Sequence, residues 1–176
     1  MSVPYYKRHE SKAEYVNAAY MLNNHVLELI SRLSARYSRL LADDIKSLSV
    51  AVISECEQAN SIVPSTKSVA FKQDMLQRRT HLLEARGKLL SLDVQLGICF
   101  EVLVNNPQGC FSNSHGDSLS ADDAIKKLDK LSTDCGLAYE KLLNLLNGVI
   151  RSDMEKLSSI LNGVNLPDYD PNNVLI

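Results

Sequence analysis

Apolar side chains recur at alternating steps of three and four residues through most of this chain, the signature of helices with one buried face. Tyr15, Ala19, Leu22, Val26, Leu29 and Leu33 predict a first helix over 11–34. Leu41, Ile45, Leu48, Val52, Cys56 and Ala59 predict a second over 39–60, after a polar turn around Arg36 and Arg39. Pro64 stops it, because proline cannot donate to the helical ladder and disfavours helix in the residue before it.

The third stripe is the most regular. Leu82, Ala85, Leu89, Leu92, Leu96, Cys99 and Leu103 keep the spacing without a miss, and Phe71, Met75 and Arg78 extend it backward, so the third helix is expected over 66–105. Leu83, Leu90 and Phe100 widen its apolar surface beyond a narrow coiled-coil seam. Gly87 lies inside it, at a cost of about 1 kcal/mol relative to alanine; it serves close packing or is incidental. Asn, Gly, Pro and Ser dominate 106–120, and each favours turns. Ser120 then opens a fourth helix over 121–163, with Asp122 and Asp123 in the first turn, where carboxylates suit the helix dipole. Its stripe is Ala124, Leu128, Leu131, Cys135, Ala138, Leu142, Leu145 and Val149. An N-terminal arm over 1–10 and a proline-containing tail over 165–176 flank the helices. No alternating run long enough for a strand stands out. The expectation is an all-α fold, an antiparallel four-helix bundle with long third and fourth helices.

Composition sharpens this picture in three ways. At 176 residues and 45% hydrophobic, the chain suits one domain with a real core. No apolar run approaches the roughly 20 residues that span a membrane, and the polar N-terminus lacks a signal-peptide core, so no membrane and a cytoplasmic location are expected. Cys56, Cys99, Cys110 and Cys135 include no C-x-x-C pair and fit no zinc-finger spacing with histidine, which predicts reduced thiols.

Motifs that carry chemistry are missing. There is no Glu-x-x-His pair for a di-iron centre, no phosphate-binding glycine loop, no H-E-x-x-H and no G-x-S-x-G. His81 and Glu84 have a ligand-like spacing in reverse order but stand alone, and His9, His25 and His115 have no partner in the pattern. Asp43–Asp44 and Asp122–Asp123 are neighbours on helices, whose side chains diverge by about 100°. No catalytic residue, no metal ligand and no cofactor is expected, and the chain reads as no enzyme.

Charge gives more. Net charge is −2, yet the first 90 residues hold 13 Lys/Arg against 9 Asp/Glu, and the rest hold 6 against 12. Arg32, Arg36 and Arg39 would line one side of a continuous helix. Arg78, Arg79, Arg86 and Lys88 cluster on the third. Arginine's planar fork suits phosphate, and such a stripe fits RNA or DNA. The alternative is a solvated face paired with Asp74, Glu84 and Asp93.

The segment LISRLSARYSRLLADDIKSLSVAVISECEQAN, with Ala59–Asn60 closing its helix, resembles the first two helices of a bacterial four-helix-bundle family. The segment RRTHLLEARGKLLSLDVQLGICFEVL resembles its third. That family holds the ribosomal-RNA intervening-sequence proteins and the accessory variability determinant of diversity-generating retroelements. The resemblance spans about residues 11–105. It implies a small non-enzymatic bundle that forms a ring-like homo-oligomer and, in the retroelement branch, binds a reverse transcriptase and nucleic acid. Arg32, Arg36, Arg39, Arg78, Arg79, Arg86 and Lys88 would supply that surface, and charge reversal at Arg78, Arg79 and Arg86 is expected to weaken binding without unfolding the chain. A homo-oligomeric adaptor without nucleic-acid affinity is the alternative.

Overall fold

The computed structural model describes residues 13–66, 68–112 and 117–163, with side chains as far as Ile160. The expected arm over 1–10, the tail over 165–176, His9 and His115 lie outside the described residues. Four helices make up the fold: α1 (Glu14–Arg32), α2 (Ala35–Ser61), α3 (Phe71–Asn105) and α4 (Ala121–Gly163). Among the described residues there is no strand, only two isolated bridges, Leu33 with Phe111 and Ser112 with Ser118. The fold is all-α, as the periodicity predicts. Each helix packs on two others, α1 on α2, α2 on α3, α3 on α4 and α4 on α1. At 1.5 Å per residue, α3 and α4 are about 52 and 65 Å long.

The core follows the stripes closely. Every position of the α3 pattern from Leu82 to Leu103 is buried, as are Tyr15, Ala19, Leu22, Val26 and Leu29 on α1. On α4 the expected positions from Ala124 to Leu142 are buried, but the stripe then continues through Leu146, with Leu145 and Val149 only half-buried. Phe71, Met75 and Leu157 form a separate small cluster.

The connections depart from the sequence expectation. The break between α1 and α2 is only Leu33 and Ser34, both extended, and α2 begins at Ala35 instead of near Arg39. The cause is tertiary. Cys110 and Phe111, in the segment expected to be only loop, are fully buried. The Ser34 N–H donates to the Cys110 carbonyl (2.9 Å), and the Ser112 N–H to the Arg32 carbonyl (3.1 Å). The incoming segment thus satisfies backbone groups that the helix break exposes. Helix α3 begins at Phe71, not 66, because Ser68 holds a turn: its hydroxyl accepts from the Ala70 N–H (3.1 Å) and its carbonyl from the Phe71 N–H (3.1 Å). Ser120 caps α4. Its hydroxyl accepts from the Asp123 N–H (3.2 Å), an N-cap bond, and donates to the Asp123 carboxylate (2.7 Å).

Candidate functional site

Two kinds of polar group compete for attention: those that join helices and those that face outward. Between α1 and α2, the Tyr20 hydroxyl donates to Glu57 (3.0 Å), and the buried Ser49 hydroxyl donates to Asn23 (2.9 Å). Between α3 and α4, Arg78 Nε meets Asp153 Oδ2 at 2.8 Å, and Arg78 also donates to the Ile62 carbonyl (3.4 Å). Between α2 and α3, Glu55 accepts from both Lys88 and His81, the latter at 2.8 Å.

Glu55 sits in the middle of a four-residue network and is 7% exposed. Burial pushes its carboxyl up, but hydrogen bonds from Lys88 and His81, and their charges, more than offset this and hold it below its ordinary value. An ionised carboxylate can only accept, so His81 Nδ1 carries the proton in this contact. Glu84 stands 3.9 Å from the Lys88 ammonium, one turn earlier on α3. Sequence reading found His81 and Glu84 but not Glu55, because their meeting depends on how α2 and α3 pack. The one available signal was a glutamate inside an apolar stripe, at a position next to Cys56.

The seven basic residues expected to bind nucleic acid do not share a single surface. Arg78 and Lys88 are held in ion pairs between helices. Charge reversal at Arg78 would set a second carboxylate beside the buried Asp153, so that change is expected to destabilise the bundle as well as remove a surface charge. Arg32 ends α1, whereas Arg36 and Arg39 lie past the break in the first turns of α2, which removes the continuous row. Arg36 and Arg39 are exposed, with the Arg36 guanidinium 5.8 Å from the Tyr37 ring centroid. Arg39 precedes Glu55 by 16 residues, about 24 Å of helix, so this group is well separated from Arg79 and Arg86. Among the described residues, no ion pair involves Arg32, Arg36, Arg39, Arg79 or Arg86. Nor do Arg78, Arg79, Arg86 and Lys88 pair with Asp74 or Asp93; Glu84 is reached only by Lys88.

The outward face of α3 is apolar over much of its length. Leu83, Leu90, Val94 and Ile98 are 38, 42, 60 and 46% exposed. With Arg79 and Arg86 they form one row at steps of four and three: Arg79, Leu83, Arg86, Leu90, Val94, Ile98. Helix α3 thus carries a core stripe on one side and a second apolar row, basic at its N-terminal end, on the other.

The four thiols are free and buried. Burial pushes Cys56 and Cys135 up to about 12 and Cys99 to about 11, so they are protonated and poor nucleophiles at neutral pH. Asp43, Asp44, Asp122 and Asp123 are exposed on their helices. No helix among the described residues is long and apolar enough to cross a membrane. No protein-family model, curated protein or solved structure matches this chain.

Proposed function

We propose that this chain is a non-enzymatic, homo-oligomeric adaptor whose four helices form an antiparallel bundle and whose α3 outer row meets other protein chains. The observation that carries this reading is the row itself. Four large apolar side chains, 38 to 60% exposed and aligned on one face, form a patch of the kind that marks interaction surfaces. Opposed pairings support the bundle: Tyr20 meets Glu57 while Asn23 meets Ser49, and Arg78 meets Asp153 while Leu96 and Gly97 share a groove with Cys135 and Gly136. The resemblance of residues 11–105 to a family of ring-forming bundles points the same way. The test is molar mass in solution by light scattering, with a Leu90→Glu/Val94→Glu variant. Wild type is expected at a multiple of the chain mass and the variant at the chain mass, with unchanged helicity. A monomeric wild type would sink the proposal.

A second reading, the accessory protein of a mobile element or retroelement that binds RNA or DNA and a reverse transcriptase, rests on Arg36, Arg39, Arg79 and Arg86, which face outward or flank the α3 row outside the ion pairs. It stands second because Arg78 and Lys88 are engaged between helices and the remaining arginines fall into two separated groups. Several phosphate contacts would make affinity fall steeply between about 50 and 200 mM salt. A fluorescence-anisotropy titration against structured RNA and duplex DNA reads this directly, and no binding at the lower salt would remove it.

A further inference from the structure

We propose that Glu55, His81 and Glu84 form a zinc site between α2 and α3, in which the Lys88 ammonium is the resident cation that zinc displaces. The inference is independent of the α3 outer row, which lies on another face of that helix.

Three side chains of types that zinc accepts, two carboxylates and an imidazole, converge here from two helices. One ligand atom from each lies within 4.8 Å of the other two. Zinc with bonds of about 2.0–2.2 Å holds neighbouring ligand atoms roughly 3.4 Å apart in a tetrahedron. Glu55 and His81 are already closer than that, at 2.8 Å. The remaining adjustment falls on Glu84, whose side chain is 53% exposed and free to turn inward. Three protein ligands and a fourth, open position are a common zinc arrangement.

The Lys88 ammonium shows that the pocket already favours a cation. It contacts Glu55 and lies 3.9 Å from Glu84, the two carboxylates zinc would use. Lys88 is also built to leave. Its side chain is 35% exposed, on a flexible stem, and it lines an open depression into which a displaced ammonium can swing toward solvent. His81 must present a lone pair where it now presents a proton. A neutral imidazole does so by moving its proton from Nδ1 to Nε2, leaving one to donate outward. A divalent ion held by two carboxylates from different helices would clamp α2 to α3 more rigidly than an ammonium.

The experiment is calorimetric titration of the metal-stripped full chain with Zn2+ near neutral pH, alongside visible spectra with Co2+. A single ion per chain is expected, with Co2+ bands of a nitrogen–oxygen set and no thiolate-to-metal charge transfer. Lys88→Met removes the competitor and is expected to tighten binding about tenfold or more. Glu84→Ala, at an exposed position that leaves the fold intact, and His81→Ala are each expected to weaken it by about 100-fold or more, since loss of a mere hydrogen-bond partner of a ligand costs 10–100-fold. The proposal is overturned if neither wild type nor Lys88→Met takes up zinc, if Glu84→Ala binds as tightly as wild type, or if the Co2+ spectrum shows thiolate ligation.

Discussion

Arg78 Nε stands 2.8 Å from Asp153 Oδ2, joining α3 to α4 across 75 residues of chain. The partners differ in burial: the Asp153 side chain is 7% exposed and that of Arg78 is 21%. Removing one partner of a buried pair strands the other, so the two deletions should not cost the same. Arg78→Ala leaves a buried carboxylate without its cation and is expected to cost about 3 kcal/mol, the lower end for breaking a buried pair. Asp153→Ala leaves an arginine that can turn to water and keep the Ile62 carbonyl, so about 1 kcal/mol is expected. Urea denaturation of the two variants measures the difference. Equal losses would mean that Asp153 reaches water more readily than its burial indicates.

The thiols make stability sensitive to alkali. Cys56, Cys99 and Cys135 titrate near 12, 11 and 12 in the folded chain because burial disfavours the thiolate, against 9.0 for an ordinary thiol. A group whose folded pKa is raised contributes its full stability below the unfolded value and loses it as pH rises toward the folded one. The loss should therefore begin near pH 9 and deepen through 11 to 12. Tyr15, pushed up to about 12 mainly by burial, adds to it from about pH 10. Urea midpoints across this range should fall steadily. Near pH 8 a disulfide reagent should leave the native thiols almost untouched and titrate all four once guanidinium unfolds the chain. Rapid native reaction would contradict the burial.

Gly87 is exposed in the interior of α3, and a Cβ added there would meet nothing within 4 Å. Close packing inside the chain does not require the glycine, which settles one of the two roles the sequence left open. Gly87→Ala should stabilise the folded chain by about 1 kcal/mol through helix propensity alone. Thermal melts at low protein concentration test this, and an unchanged or lower midpoint would show that the glycine is needed. Its neighbours on the outer side of α3 are Leu83 and Leu90. Loss of oligomer mass alongside higher monomer stability would therefore place the close approach between copies.

How far the sequence reached depends on the range of each interaction. Helix existence follows from a repeat that any window of a dozen residues carries, and α3 ends at Asn105, as the turn residues there indicate. The starts of α2 and α3 were misplaced by four and five residues. The polar stretch at Arg36–Arg39 reads as a turn, but Tyr37 is buried and the segment is helical. Phe111 illustrates the limit. Its neighbours in sequence are turn formers, and only the packing of a distant segment against Leu33 makes it part of the core.

The same division runs through the candidate sites. Sequence alone determined four helices, most of their buried faces and a surplus of basic residues in the first half, because these depend on local periodicity and composition. Only tertiary structure decided what the charges do. It tied Arg78 to Asp153 and Lys88 to Glu55, left Arg36 and Arg39 facing outward, and brought Glu55 to His81 and Glu84. Those pairings join residues 26 to 75 positions apart. A side chain's electrostatic partner is set by which helices lie side by side and in what register, and no local pattern in the chain encodes either.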